Sequence, residues 1–156
     1  MTRARPEDEA KLASFASELA DAMHDALPRW VARSVGRFLA VEGDLARRVD
    51  EVGAQVQRDV GLAVRRLLET DIDEQRGNPL ALVRRGVGPI TALLRDESVP
   101  PIERDEMDER MFPDDVYGLS PASFADIDPA LHEPGLRWGA AKAFVFKQRR
   151  HLEGRR

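Results

Sequence analysis

Asp21 and His24 stand three residues apart in a stretch with helical patterning, a spacing that lets a carboxylate and an imidazole reach one ion. A di-iron bundle needs two such pairs and glutamates from two further helices, and only this pair is present. The expected role of His24 is therefore that of a boundary histidine bonded to a neighbour. Asp126, Asp128, His132 and Glu133 form a second group. Their spacing matches neither the calcium loop, with its central Gly and terminal Glu, nor a His-Glu-x-x-His zinc helix. Asp128 also precedes Pro129, where a helix cap is expected. A third group, Asp71, Asp73 and Glu74, follows the longest helical pattern at the negative end of its dipole and reads as a solvated loop.

Nucleophilic and phosphate-cradling chemistry find less support. The chain has no cysteine, which removes disulfides, thiolate nucleophiles and Cys-ligated zinc or iron–sulfur clusters. No Gly-x-Ser-x-Gly elbow occurs. Gly86-Val87-Gly88-Pro89 lacks the lysine of a phosphate loop, and its proline removes an amide donor, so a kinked helix is the expectation there. No residue set asks for a cofactor or a metal, and an enzyme is not favoured.

Charge is more informative. The net value of −4 conceals three segments. Residues 1–96 carry −1, residues 97–133 carry −9 and residues 134–156 carry +6. Lys147, Arg149 and Arg150, with Arg155 and Arg156 beyond them, could meet phosphates of a nucleic acid or an anionic surface. The adjoining acidic segment offers them intramolecular partners instead.

The elements that must position these groups are helical. Leu12, Phe15, Leu19, Met23 and Leu27 predict a first helix over about 7–27, and Pro28 is expected to begin a second with Val31, Val35, Phe38 and Leu39 inward. Leu45, Val49, Val52, Val56, Val60, Ala63 and Leu67 step 4-3-4-4-3-4, a near-straight third helix that Gly43-Asp44 separates from the second. Its Gly53 and Gly61 are read as close helix–helix contacts. Asn78-Pro79 starts a fourth helix with a kink near Gly88. Ser120-Pro121 and Asp128-Pro129 each predict a short helix. A last one over about 135–150 should bury Leu136, Ala140, Ala143 and Phe144. Phe144-Val145-Phe146 is apolar on too many sides for one buried face, so part of it should pack on something further.

The sequence thus predicts an all-α fold. Residues 1–98 form an antiparallel bundle of three to four helices, 99–134 a Pro- and acid-rich wrap with short helices, and 135–156 a basic terminal helix and tail. Six of the ten prolines and most aromatics fall beyond Val99, which describes an ordered chain following a groove on the bundle or on a partner. No apolar run reaches the length of a membrane span or signal-peptide core, and a cytoplasmic protein is expected. The function expected is that of a non-catalytic interaction or regulatory protein, acting through a protein partner or as a homodimer. Phe112, Tyr117, Phe124, Trp138, Lys147, Arg149 and Arg150 are the candidate partner-binding residues. A homodimer would use the long third helix, rimmed by Arg47, Arg48, Arg58, Arg65, Arg66, Arg84 and Arg85. The alternative is a nucleic-acid-associated protein using the basic terminal helix; a metal-binding or enzymatic bundle ranks behind both.

Overall fold

The computed structural model describes the backbone of residues 5–74 and 78–154, and the side chains of all of these but 71–74, 108 and 109. Every regular element among them is helical, as the periodicity predicts. Two long helices make the core: α1 (Pro6–Gly36) and α2 (Gly43–Glu74). Pro28 does not begin a new helix but lies inside α1. A proline there leaves the carbonyl of His24 without its helical donor. Gln57 of α2 fills the gap, its Nε2 donating to His24 O at 3.0 Å. Gly53 and Gly61, one turn to either side of Gln57, let α2 come this close. A Cβ at Gly53 would lie 3.3 Å from Pro28 Cα, and one at Gly61 would lie 3.1 Å from His24 Nδ1. Because 53 meets 28 while 65 pairs with 21, the two helices run antiparallel. The predicted break before α2 is present: residues 37–42 leave the helix, and Gly43 turns the chain at φ 56°.

Leu12, Leu19, Met23, Leu27, Val31 and Val35 of α1 are fully buried against Val49, Val56, Val60, Val64 and Leu68 of α2. Beyond Val60 the buried line runs through Val64 and Leu68. The predicted Ala63 and Leu67 are half-buried at its margin.

The chain then lays three short pieces across the hairpin: α3 (Pro79–Val83), a 3-10 turn (Arg84–Gly86) and α4 (Val87–Asp96). Asn78 caps α3 as expected, its side chain accepting from Leu80 N at 3.0 Å. The expected kink takes the form of the 3-10 turn. Gly86 lies there with Trp30 and Val56 each 3.0 Å from where a Cβ would stand.

Residues 99–131 carry two more short helices, α5 (Glu106–Met111) and α6 (Phe124–Ile127), and a 3-10 turn (Pro129–Leu131). Tyr117, fully buried, donates its hydroxyl to Val99 O at 2.7 Å and sets its ring edge-on to Phe38. Three aspartates of this segment hold backbone. Asp115 accepts from the N–H groups of Leu119 and Ser120, both at 2.8 Å. Asp126 accepts from Ala122 and Ser123 at 2.8 and 3.0 Å. Asp128 caps the turn at Ala130 (2.9 Å) and pairs with Arg29 and Arg33 of α1. Ser120-Pro121 opens no helix, contrary to expectation; α6 starts behind Ser123 instead.

The last helix, α7 (His132–Glu153), runs antiparallel to the N-terminal half of α1. Arg137 bonds Glu18 at 2.6 Å, and twelve residues on Arg149 bonds Glu9 at 2.9 Å. Its buried face is not the predicted one. Gly135, Trp138 and Val145 face inward, while Leu136 is 59 % and Phe144 53 % exposed. Phe124 dictates this rotation. A Cβ at Gly135 would overlap the Phe124 ring, and Trp138 meets the same ring edge-on at 6.4 Å.

Candidate functional site

α7 has two apolar faces, and α1 covers only one. The outer face is formed by Glu133, Leu136, Ala140, Ala143, Lys147 and Arg150, all exposed, at steps of three and four residues. Phe144 stands beside Ala143. Steps of three and four put these residues on one stripe of the helix, with Leu136, Ala140 and Ala143 as its apolar centre. Charge is divided along it: Glu133 at one end, Lys147 and Arg150 at the other, alanines and the two large apolar side chains between. The face continues onto α1 through a groove of about 380 Å³ lined by Phe15 of α1 and by Arg137, Ala140 and Phe144 of α7. The Arg137 guanidinium sits 5.8 Å from the Phe15 ring centre. Inside, Lys142 lies 4.8 Å from the Trp138 ring, and burial lowers its pKa below the ordinary lysine value.

The candidate residues from the sequence separate into three kinds. Tyr117 and Trp138 are buried and Phe124 is packed against the core, so these three rings anchor the chain to itself. Arg149 is committed to Glu9, with its side chain 17 % exposed. Lys147, Arg150 and the half-buried Phe112 remain at the surface. Arg150 lies 5.6 Å from the ring of Phe146, itself 42 % exposed.

Opposite charges meet crosswise. The terminal helix turns its basic groups to acids of α1, whereas Asp128 of the wrap pairs with arginines of α1.

The proposed arginine rim disperses. Arg47 pairs with Asp44 and Glu51, Arg48 with Asp96 and Glu97, and Arg65 with Asp21. Arg84 and Arg85 line a cleft beside α4 together with Phe112. On α2, Leu62 is the one large apolar side chain exposed among the described residues. Asp21 is thus an ion-pair partner, and His24 lies against Gly61; no metal-capable cluster of three side chains occurs among the described residues. The side chains of Asp71, Asp73 and Glu74, and the residues Arg155 and Arg156, lie outside the described residues. No described helix is long and apolar enough to cross a membrane.

Phe144-Val145-Phe146 divides as its apolar crowding predicts, Val145 inward with Phe144 and Phe146 exposed, whereas Leu136 and Phe144 lie on the outer face and not on the inner one expected for them. Compared with family models, curated proteins and solved structures, the chain matches none.

Proposed function

We propose that this protein is a non-catalytic interaction protein that pairs with a second copy of itself through the outer face of α7. The observation that carries the reading is the self-complementary seam. A two-fold axis at Ala140 brings Phe144 of one copy against Leu136 of the other and Lys147 opposite Glu133. The small Ala140 at the centre permits close helix approach. Each copy contributes few large side chains, so the pairing is weak and concentration-dependent, suited to regulated assembly.

Sedimentation velocity over a range of concentrations tests this. Phe144→Glu is expected to give a monomer with unchanged helical circular dichroism, since Phe144 is 53 % exposed. Lys147→Glu should weaken the dimer, and the double variant Glu133→Lys/Lys147→Glu should restore it. A wild-type protein that stays monomeric at every concentration sinks the reading.

A second reading rests on a different observation: Phe144 and Phe146 are exposed beside Lys147 and Arg150, the combination of ring and cation with which proteins hold single-stranded nucleic acid. Salt-sensitive retention of single-stranded DNA, lost in Lys147→Gln/Arg150→Gln, would favour it. Retention unchanged in that variant removes it.

A further inference from the structure

We infer that the cleft between α4 and the strap at residues 111–120 is a binding site for a small organic phosphate. It encloses about 610 Å³, which suits a ligand of nucleotide size. Arg84, Arg85 and Arg95 enter it from one side and Phe112 from the other.

Among the described residues none of these three arginines makes a salt bridge, and no carboxylate inside the cleft neutralises them. The nearest buried carboxylate is already occupied. Both oxygens of Asp115 accept backbone N–H groups, from Leu119 and Ser120. Asp114 stands at the exposed rim.

Two buried polar groups on the cleft lining lack partners. Thr91 is 5 % exposed, and its Oγ1 has no hydrogen-bond partner. Arg84 Nε is buried and equally unpartnered. Buried polar groups are normally satisfied; both atoms lie just beneath the cleft lining, where a side-chain rotation on binding would bring them to a ligand. The Arg84 guanidinium is held in place by the Phe112 ring, 4.4 Å from its centre, so its fork is oriented before anything binds.

A planar fork with further cations around it matches the oxygens of a phosphate group. Met111 and Phe112 add an apolar wall that a bare inorganic ion would leave unused. The organic part of the ligand lies there.

Isothermal titration of the full chain with AMP, pyrophosphate and inorganic phosphate tests the site. AMP is expected to bind more tightly than inorganic phosphate. Arg84→Gln and Arg95→Gln should each weaken it about tenfold, the effect of one charged hydrogen bond. Arg95 is exposed, so its variant keeps the fold. Arg58→Gln, an exposed change on α2 outside the cleft, should leave binding unaltered. Thr91→Val should weaken AMP about fivefold while the unliganded protein melts no earlier. The inference is overturned if AMP gives neither heat nor a melting shift, or binds no more tightly than inorganic phosphate. It is equally overturned if Arg58→Gln loses as much affinity as Arg95→Gln, which would reduce the binding to diffuse charge.

Discussion

The α1–α2 hairpin and the wrap that follows α4 reach order by different physical routes. In the hairpin, apolar side chains recur at helical steps and bury one continuous line. Polar contacts between the two helices are few: Gln57 takes over the carbonyl that Pro28 leaves open, and Arg65 pairs with Asp21 at the edge. In the wrap, order comes from isolated anchors and from carboxylates that accept backbone N–H groups at Asp115, Asp126 and Asp128. The lesson concerns charge. A segment with net −9 is not a solvated acidic tail when its aspartates replace the missing helical hydrogen bonds.

The largest effect should therefore come from removing one anchor of the wrap. Tyr117→Ala deletes a fully buried ring and its hydroxyl bond to Val99, at a cost of about 3–5 kcal/mol in urea unfolding. Tyr117→Phe keeps the ring and should cost only about 1 kcal/mol. If Tyr117→Ala cost less than 1 kcal/mol, the wrap would be a passive covering rather than part of the cooperative unit.

The hairpin is broken and repaired at a different kind of position. A proline inside a helix costs up to about 3 kcal/mol relative to alanine. Pro28→Ala is expected to stabilise the protein by about 1–3 kcal/mol, because the helix regains its own bond to His24 O. In that background Gln57 has nothing left to replace. Gln57→Ala should cost about 1 kcal/mol in the native chain and close to zero alongside Pro28→Ala. An equal cost in both backgrounds would show that Gln57 does not act through the proline.

Asp128 joins the two regions, and its effect is set by pH. The Ala130 N–H bond chiefly, then Arg29 and Arg33, hold its pKa below the ordinary 3.8. A carboxylate whose folded pKa is lowered contributes stability that is complete above its unfolded value and is lost as pH falls through its folded value. Asp128→Asn retains the capping oxygen but removes the charge. It should cost about 1 kcal/mol at neutral pH, and its stability should fall less steeply below about pH 4 than that of the native protein. Parallel acid limbs would mean the ion pairs contribute nothing.

The contrast also explains what could be read from residues alone. The Asn78-Pro79 start, the Gly43 break and the packing of Gly53 and Gly61 each follow from one residue's own geometry. Continuity of α1 through Pro28 is not legible locally, because the carbonyl that the proline leaves open is met by Gln57, which is remote in sequence. The inner face of α7 differs from the expected one for a related reason. Gly135 and Trp138 were chosen by the Phe124 ring, and hydropathy counting ranks Leu136 and Phe144 above glycine. The cleft was hidden in another way, since Thr91, Arg84 and Arg95 are unremarkable on helix surfaces until the strap at 111–120 closes over them.

The smallest expected effect lies where hairpin-side helix passes into wrap, at the end of α4. Val99 N bonds Leu94 O at 3.0 Å and Ser98 N bonds Arg95 O at 2.9 Å, a helix stop that places Ser98 at φ 60°. Gly43 and Gly118 occupy the same left-handed region, and at both the sequence supplies glycine. Ser98 is the one non-glycine residue there among the described residues, and it is exposed. Its Cβ is crowded by the backbone in that conformation, while glycine is not. Glycine in turn loses more freedom on folding, so the two effects partly cancel. Ser98→Gly should stabilise by about 0.5–1 kcal/mol, read as a higher urea midpoint at unchanged slope. A lower midpoint would mean that the stop is held by the Tyr117 bond to Val99 rather than by its own turn, and the wrap would then be setting the end of the helix.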